Sequence, residues 1–291
     1  MAERGRFWMG WVALLCGGLV WGASEEVETR PRIQAEAVNE SSGLDQSVRV
    51  PGRFWTHNDS GGEARLYAMD AEGATLGDPV WIEGARNVDW EALVVDGRGG
   101  LWIADTGNNA NTRRDLKVYR VEEPGERLPE SLDVTRTVRV RYPDQEAFPP
   151  EKMNFDCEAM FVFEGRLYFL TKHRSDRDTK LYRLDGSGGE DPEEQVLTLV
   201  ERMEEIGQVT DADLHPDGRR LAVLTYGGVW VFERGDGDDR FLSGRRWRLS
   251  WGSWARKQTE GIAWVDGETL LICNEQRELF RVGWDELRLV E

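Results

Sequence analysis

Histidine, cysteine and lysine are scarce in this 291-residue chain, with three, three and five copies respectively. So few imidazoles and thiols disfavour a zinc centre, which draws on those ligands. Cys16 lies in an apolar stretch at the N-terminus, leaving Cys157 and Cys273. The repeat described below puts those two in non-adjacent units, so two buried free thiols are expected rather than a disulfide. There is no Gly-x-Ser-x-Gly elbow, no Walker loop and no dinucleotide fingerprint in a strand-helix-strand setting, which removes the usual nucleophile and nucleotide chemistries. Helical periodicity of useful length is missing too, and with it any alternation of strands and helices. Positive charge is short overall. A formal charge of −17 is the wrong sign for nucleic acid and for anionic membrane surfaces. The natural partners are cations, small ligands bridged by cations, or another protein, and a monomer is expected.

One segment is apolar. Arg4 and Arg6 precede a run from Phe7 to Trp21, then small residues Gly22, Ala23 and Ser24, then Glu25-Glu26. That order is a secretory leader's. Residues 1–24 are therefore expected to be a signal peptide, 31–291 a single domain, and the protein periplasmic or secreted. Trp21 fits poorly three positions before a cut after Ala23, so an uncleaved membrane anchor is the alternative. Ala13-Leu14-Leu15 ahead of Cys16 lacks the small residues that lipid attachment wants. No other segment is long and apolar enough to span a bilayer.

What the chain has instead is a repeat. Ser42-Gly43-Leu44, Glu91-Ala92-Leu93, Glu158-Ala159-Met160, Asp213-Leu214 and Glu260-Gly261-Ile262 each open a short apolar run. Turns follow at Asp96-Gly97, Glu164-Gly165, Pro216-Asp217-Gly218 and Asp266-Gly267, which is hairpin chemistry. Second runs such as Leu101-Trp102-Ile103-Ala104, third runs such as Val118-Tyr119-Arg120 and fourth runs such as Val196-Leu197-Thr198-Leu199 complete each copy. Five four-strand copies at steps of about fifty residues predict an all-β fold, a β-propeller of five four-stranded blades. Residues 31–38 would supply an outer strand to the last blade. The long step from Glu91 to Glu158 leaves six blades as the alternative; the excess reads better as a loop from Asp144 to Met153.

In a meandering blade, the loop entering strand one and the loop joining strands two and three share one face of the disc. The first set carries Asn87/Asp89/Glu91, Asn154/Asp156/Glu158, Asp211/Asp213 and Glu260; the second carries His57-Asn58-Asp59, Asp105 to Asn109, Thr171-Lys172-His173-Arg174, Thr225-Tyr226 and Asn274-Glu275. Asn, Asp and Glu at i, i+2 and i+4 would also share one face of a strand. The polar residues therefore gather at one mouth. Asp89, Glu91, Asp105, Asn108, Asn109, Asp156, Glu158, Asp213 and Glu260 are the candidate metal ligands. Two carboxylates about 5 Å apart repel by roughly 3 kcal/mol at an effective dielectric of 20, which a cation, a shared proton or a basic side chain must relieve. Oxygen-only donors suit Ca²⁺, with Mg²⁺ or Mn²⁺ next. The competing reading closes the mouth with Lys172, Arg113, Arg114 and Arg174 as ion pairs. Asp105 to Asn109 is open between a ligand loop and a turn, since turns select these residues. Asn58, Asp59, Lys172, Tyr226 and Asn274 are candidates for contacting a ligand. His57 and His173 are candidate proton carriers, or plain loop residues; His215 falls on the far face. Trp55, Trp90, Trp102 and Trp264 read as core, and the acidic segments at 186–194 and 235–239 as solvated turns on the far face.

Asn58-Asp59-Ser60, Asp89-Trp90-Glu91, Asp105-Thr-Gly-Asn108-Asn109 with Arg113-Arg114, and Val118-Tyr-Arg-Val-Glu-Glu-Pro124 together resemble a largely uncharacterised group of secreted bacterial propeller proteins. Their second blade carries Asp-Trp-Glu and an Asp-x-Gly-Asp-Asn loop; here Asn108 stands for the second Asp. Asp156-Cys-Glu158-Ala, Thr210-Asp-Ala-Asp213 and Glu260-Gly-Ile-Ala263 extend the resemblance over residues 38–282. More distantly the chain is similar to phytase-like esterase, gluconolactonase and NHL-type propellers, a kinship that implies fold and transfers no reaction. The leading expectation is an exported propeller that holds a divalent cation at an acidic mouth and recognises a ligand or partner there. A metal-dependent hydrolase of phosphoesters or lactones, and a purely structural interaction disc, are the alternatives.

Overall fold

The computed structural model describes residues 30–186, 194–235, 239–252 and 256–290. The expected leader, most of the acidic run after Gly186 and the centre of 235–239 lie outside the described residues.

Short apolar runs become strands buried on both faces because each sheet is sandwiched between two others. Leu101-Trp102-Ile103-Ala104, for instance, lies wholly within a strand that is buried at every position, so its apolar character is continuous rather than alternating. The first blade consists of β1 (Ser41–Gln46), β2 (Phe54–Asn58), β3 (Arg65–Met69) and β4 (Val80–Glu83). The second holds β5 (Trp90–Val95), β6 (Gly100–Asp105), β7 (Lys117–Glu122) and β9 (Arg136–Arg141). The third holds β10 (Asp156–Phe163), β11 (Arg166–Lys172), β12 (Thr179–Arg183) and β14 (Thr198–Met203). The fourth holds β15 (Val209–Leu214), β16 (Arg220–Thr225), β17 (Gly228–Glu233) and β18 (Arg246–Ser250). Among the described residues the fifth holds three strands rather than the expected four, β19 (Thr259–Trp264), β20 (Thr269–Asn274) and β21 (Leu279–Gly283). The fold is an all-β, five-bladed propeller, and the only helical turn among the described residues is the 3-10 turn Trp284–Glu286.

The blades depart from four identical strands in a regular way. β8 (Ser131–Asp133) leaves the second blade and pairs in parallel with β4, and β13 (Gln195–Val196) leaves the third to pair with β9. β22 (Arg288–Val290) follows the fifth blade and pairs with β18. Connections after the third strand thus clasp the preceding blade and cover its edge. The connection after β17 does likewise, burying Phe241 and Leu242, whose N–H groups donate to Glu201 of β14. The residues between Glu91 and Glu158 that could have made a sixth blade form β8 and the loop at 144–153. Closure of the ring is slighter than an outer strand over 31–38: Arg32 bridges Glu278, with Ile33 N–H on Arg277 O and Leu279 N–H on Pro31 O, each at 2.8 Å.

Five apolar clusters fill the gaps between blades, with Trp55, Trp90, Trp102 and Trp264 among their members. Cys157 and Cys273 are buried and free, and burial pushes both thiols up to about 12.

Candidate functional site

All five inner strands carry the same irregularity. Pairing skips one residue between Ser42 and Leu44, Trp90 and Ala92, Cys157 and Ala159, Val209 and Asp211, and Thr259 and Gly261. The extra residues are Gly43, Glu91, Glu158, Thr210 and Glu260. A bulge re-aims its side chain, and here it directs three glutamates at the mouth where simple alternation would not. The i, i+2, i+4 argument therefore fails in detail: β5 begins only at Trp90, and the asparagines at 87 and 154 are clamps. Asn87 donates to the carbonyls of Asn58 (3.0 Å) and Asp59 (2.7 Å); Asn154 donates to Asp176 and accepts from Ser175 N–H.

Asp59, Asp89 and Glu91 each place a carboxylate oxygen within 4.8 Å of the other two, and Glu91, Asp156 and Glu158 do the same. Glu91 belongs to both triads. The basic residues distribute unevenly over them. Lys172 Nζ lies 3.1 Å from Glu158 and donates to Tyr226 Oη at 3.0 Å, and Tyr226 donates to Glu260 at 2.6 Å. Arg174 reaches Asp156 at 2.7 Å and Glu158 at 3.5 Å, and also contacts Asn109. Arg113 pairs with Asp105 at 3.0 Å, while Arg114 stacks on Phe148 instead. Among the described residues none forms an ion pair with Asp59, Asp89 or Glu91.

Burial, then neighbouring acids, raise the carboxyls: Asp59 and Asp89 to about 6, Asp156 to about 7, and Glu91 well above the usual range. Glu260 rises to about 7, chiefly through burial.

The Asp105–Asn109 loop organises this cluster from behind. Asp105 accepts the Asp89 N–H at 3.0 Å, Thr106 donates to Cys157 O, and Asn108 N–H donates to Asp156 at 2.6 Å. A Cβ on Gly107 would stand 2.4 Å from both Asp89 Cγ and Glu91 Oε1, so only glycine lets the loop approach. The asparagines proposed as ligands are engaged locally. Asn108 accepts Arg113 N–H and donates to Phe155 O; Asn58 secures 37–40, and Asn274 secures Arg256 and Glu278. Such side chain to backbone bonding is what Asn favours in turns.

Three other candidates sit apart. Asp213 lies three residues beyond its blade's bulge, towards the opposite end, where it accepts the Trp264 N–H at 2.7 Å. Thr210 holds the place the repeat had assigned to an acid. His57 is fully buried under Gly43 and against Trp90, with its pKa lowered to about 4 by burial. His173 is buried with Nδ1 2.6 Å from Asp176. Neither imidazole is placed to serve solvent. Gly107 and Asn111, which were not singled out, prove central: Asn111, in the left-handed region at φ 51°, joins the second-blade loop to Phe155 N–H at 2.7 Å. The signal for Gly107 was present in the Asp-x-Gly motif.

Cavity volume and the carboxylate triads lie at different ends. A cavity of about 990 Å³ opens at the opposite end beside Asp45, Val95, Phe163, Asp213 and Trp264. Its Asp45 and Asp213 carboxylates are taken up by backbone N–H groups, so we place the candidate site at the mouth with unmet charge.

No protein-family model matches the chain, and no curated protein matches it in sequence. Among solved structures it is similar to the PQQ-bound aldose sugar dehydrogenase of Streptomyces coelicolor, at 9% identity over 91% of this chain and 98% of that one, TM-score 0.51. It is also similar to a gluconolactonase of Xanthomonas campestris, at 14% identity over 88% and 84%, TM-score 0.45. A third is the β-propeller domain of Cps50 from Myceliophteria thermophila, at 12% identity over 84% and 95%, TM-score 0.42. The likeness is one of fold. At such identities a propeller's reaction does not transfer. No helix among the described residues is long and apolar enough to cross a membrane.

Proposed function

We propose that this propeller, exported by its N-terminal leader, binds a divalent cation at the acidic mouth through Asp59, Asp89 and Glu91, and presents that face to a ligand or protein partner. One observation carries the reading. Glu91 is 4% exposed, stands between the two triads, and has no side-chain hydrogen bond or ion pair among the described residues. A buried carboxylate costs several kcal/mol unless something compensates it. Lys172, Arg174 and Arg113 answer Glu158, Asp156 and Asp105, and so account for only part of the mouth. Oxygen donors from two loops and a bulge, without nitrogen or sulfur, favour Ca²⁺ over Mg²⁺ or Mn²⁺, because Ca²⁺ tolerates irregular coordination.

The test is thermal unfolding of chelator-treated protein, with and without millimolar Ca²⁺. Wild type should gain stability on adding calcium, and Glu91→Gln should lose most of that gain. A wild-type melt indifferent to both chelator and calcium would end the cation reading.

A further inference from the structure

We infer that the mouth takes one divalent ion, and that Lys172 and Arg174 are built-in substitutes for a second. This rests on the cation reading above and specifies its stoichiometry. Two carboxylate triads share Glu91, and each offers three clustered oxygen donors to a cation. They differ in what already occupies them. The Asp156–Glu158 side contains the Lys172 ammonium, 3.1 Å from Glu158, and the Arg174 guanidinium, 2.7 Å from Asp156. On the Asp59–Asp89 side no ion pair is formed among the described residues, and Lys172, Arg113 and Arg174 act there only at longer range.

The basic pair is built in. Lys172 ends β11 directly opposite Asp156 in the strand register, and its side chain is 4% exposed. Its ammonium is fixed between Glu158 and the Tyr226 hydroxyl, which in turn holds Glu260. An ion entering the second triad would meet two like charges, of which the buried Lys172 ammonium cannot swing into solvent without leaving Glu158 buried and unpaired. Charge balance points the same way. Six carboxylates, Glu260 included, against two side-chain cations leave four negative charges, and one divalent ion reduces them to two. Without Lys172 and Arg174, two divalent ions would leave that same double charge. Two buried groups independently mark the unmet demand: Glu91, without a partner, and the second oxygen of Glu260, buried and unbonded.

The experiment is calcium titration of the full chain by isothermal calorimetry, with folding checked by circular dichroism. Wild type should bind one Ca²⁺, and the Lys172→Gln/Arg174→Gln double variant two. Each single variant should bind its first ion roughly tenfold tighter, since a like charge has left the neighbourhood. Two ions in wild type, or one in a folded double variant, overturns the substitution idea while leaving the cation reading intact. If the double variant does not fold, Arg174→Gln decides, because that side chain lies partly exposed at the rim. Unchanged affinity there overturns the inference. No calcium binding by wild type sinks the cation reading itself.

Discussion

The two ends of the central channel use buried acids in opposite ways. Towards the far end, Asp45 of β1 accepts the Val95 N–H of β5 at 2.6 Å and Asp213 of β15 accepts the Trp264 N–H of β19 at 2.7 Å; Asp211, one residue past the bulge, accepts Ile262 N–H at 2.8 Å. Inner strands are sheet edges whose N–H groups need acceptors, so these carboxylates join one blade to the next. At the mouth, Asp59, Asp89 and Glu91 face one another. Acids at one end are consumed by the fold, and at the other they are left over. Burial alone therefore does not identify a binding group; the absence of a partner does.

The sharpest way to break this comparison is calcium. At a hundredfold excess over Kd a ligand adds about 2.7 kcal/mol, and Glu91→Gln should abolish most of that shift while Asp213→Asn leaves it whole; paired melts would show it. If both variants lose it, the two ends are not distinct.

Acidity comes next. At the mouth Asp59 and Asp89 are raised to about 6 and Asp156 and Glu260 to about 7, from ordinary values of 3.8 and 4.5. Burial raises Asp213 at the far end to about 7 as well. A raised carboxyl binds more protons folded than unfolded, so stability falls as pH rises through that interval. Cation-free protein should melt lower at pH 7.5 than at pH 5, and calcium should flatten the slope; only the part of the slope that calcium removes belongs to the mouth. A chelated melt that instead rises with pH would contradict the unmet charge.

Gly107→Ala should follow, destabilising by about 1–3 kcal/mol through overpacking and weakening calcium binding, as read by denaturant unfolding and titration. The smallest effect belongs to Asp213→Asn, which keeps an acceptor oxygen for Trp264 and should cost under about 1 kcal/mol.

Blade number, strand order and the sharing of one face by two sets of loops were legible, because apolar runs and turn residues recur at fixed steps. The site was legible in part. Glu91, Asp89, Asp156, Glu158 and Asp59 were all named from their loops, and these do converge. Asp213 was aligned with the glutamates because it is acidic and precedes an apolar residue, yet the strand register gives that place to Thr210. The asparagines were read as oxygen donors, but backbone groups engage Asn58 and Asn108, Arg256 O and Glu278 engage Asn274, and Arg174 takes the Asn109 oxygen. The clasping strands β8, β13 and β22 were missed because two to three residues carry too little periodicity to register.

The order of apolar runs and turns determined a five-bladed ring with two sets of acid-bearing loops at one opening, since alternation and spacing are properties of the chain alone. Which acids remained without a partner was decided only in three dimensions. A one-residue bulge re-aims a side chain, and whether a base or an N–H meets it depends on a neighbouring blade some fifty residues away.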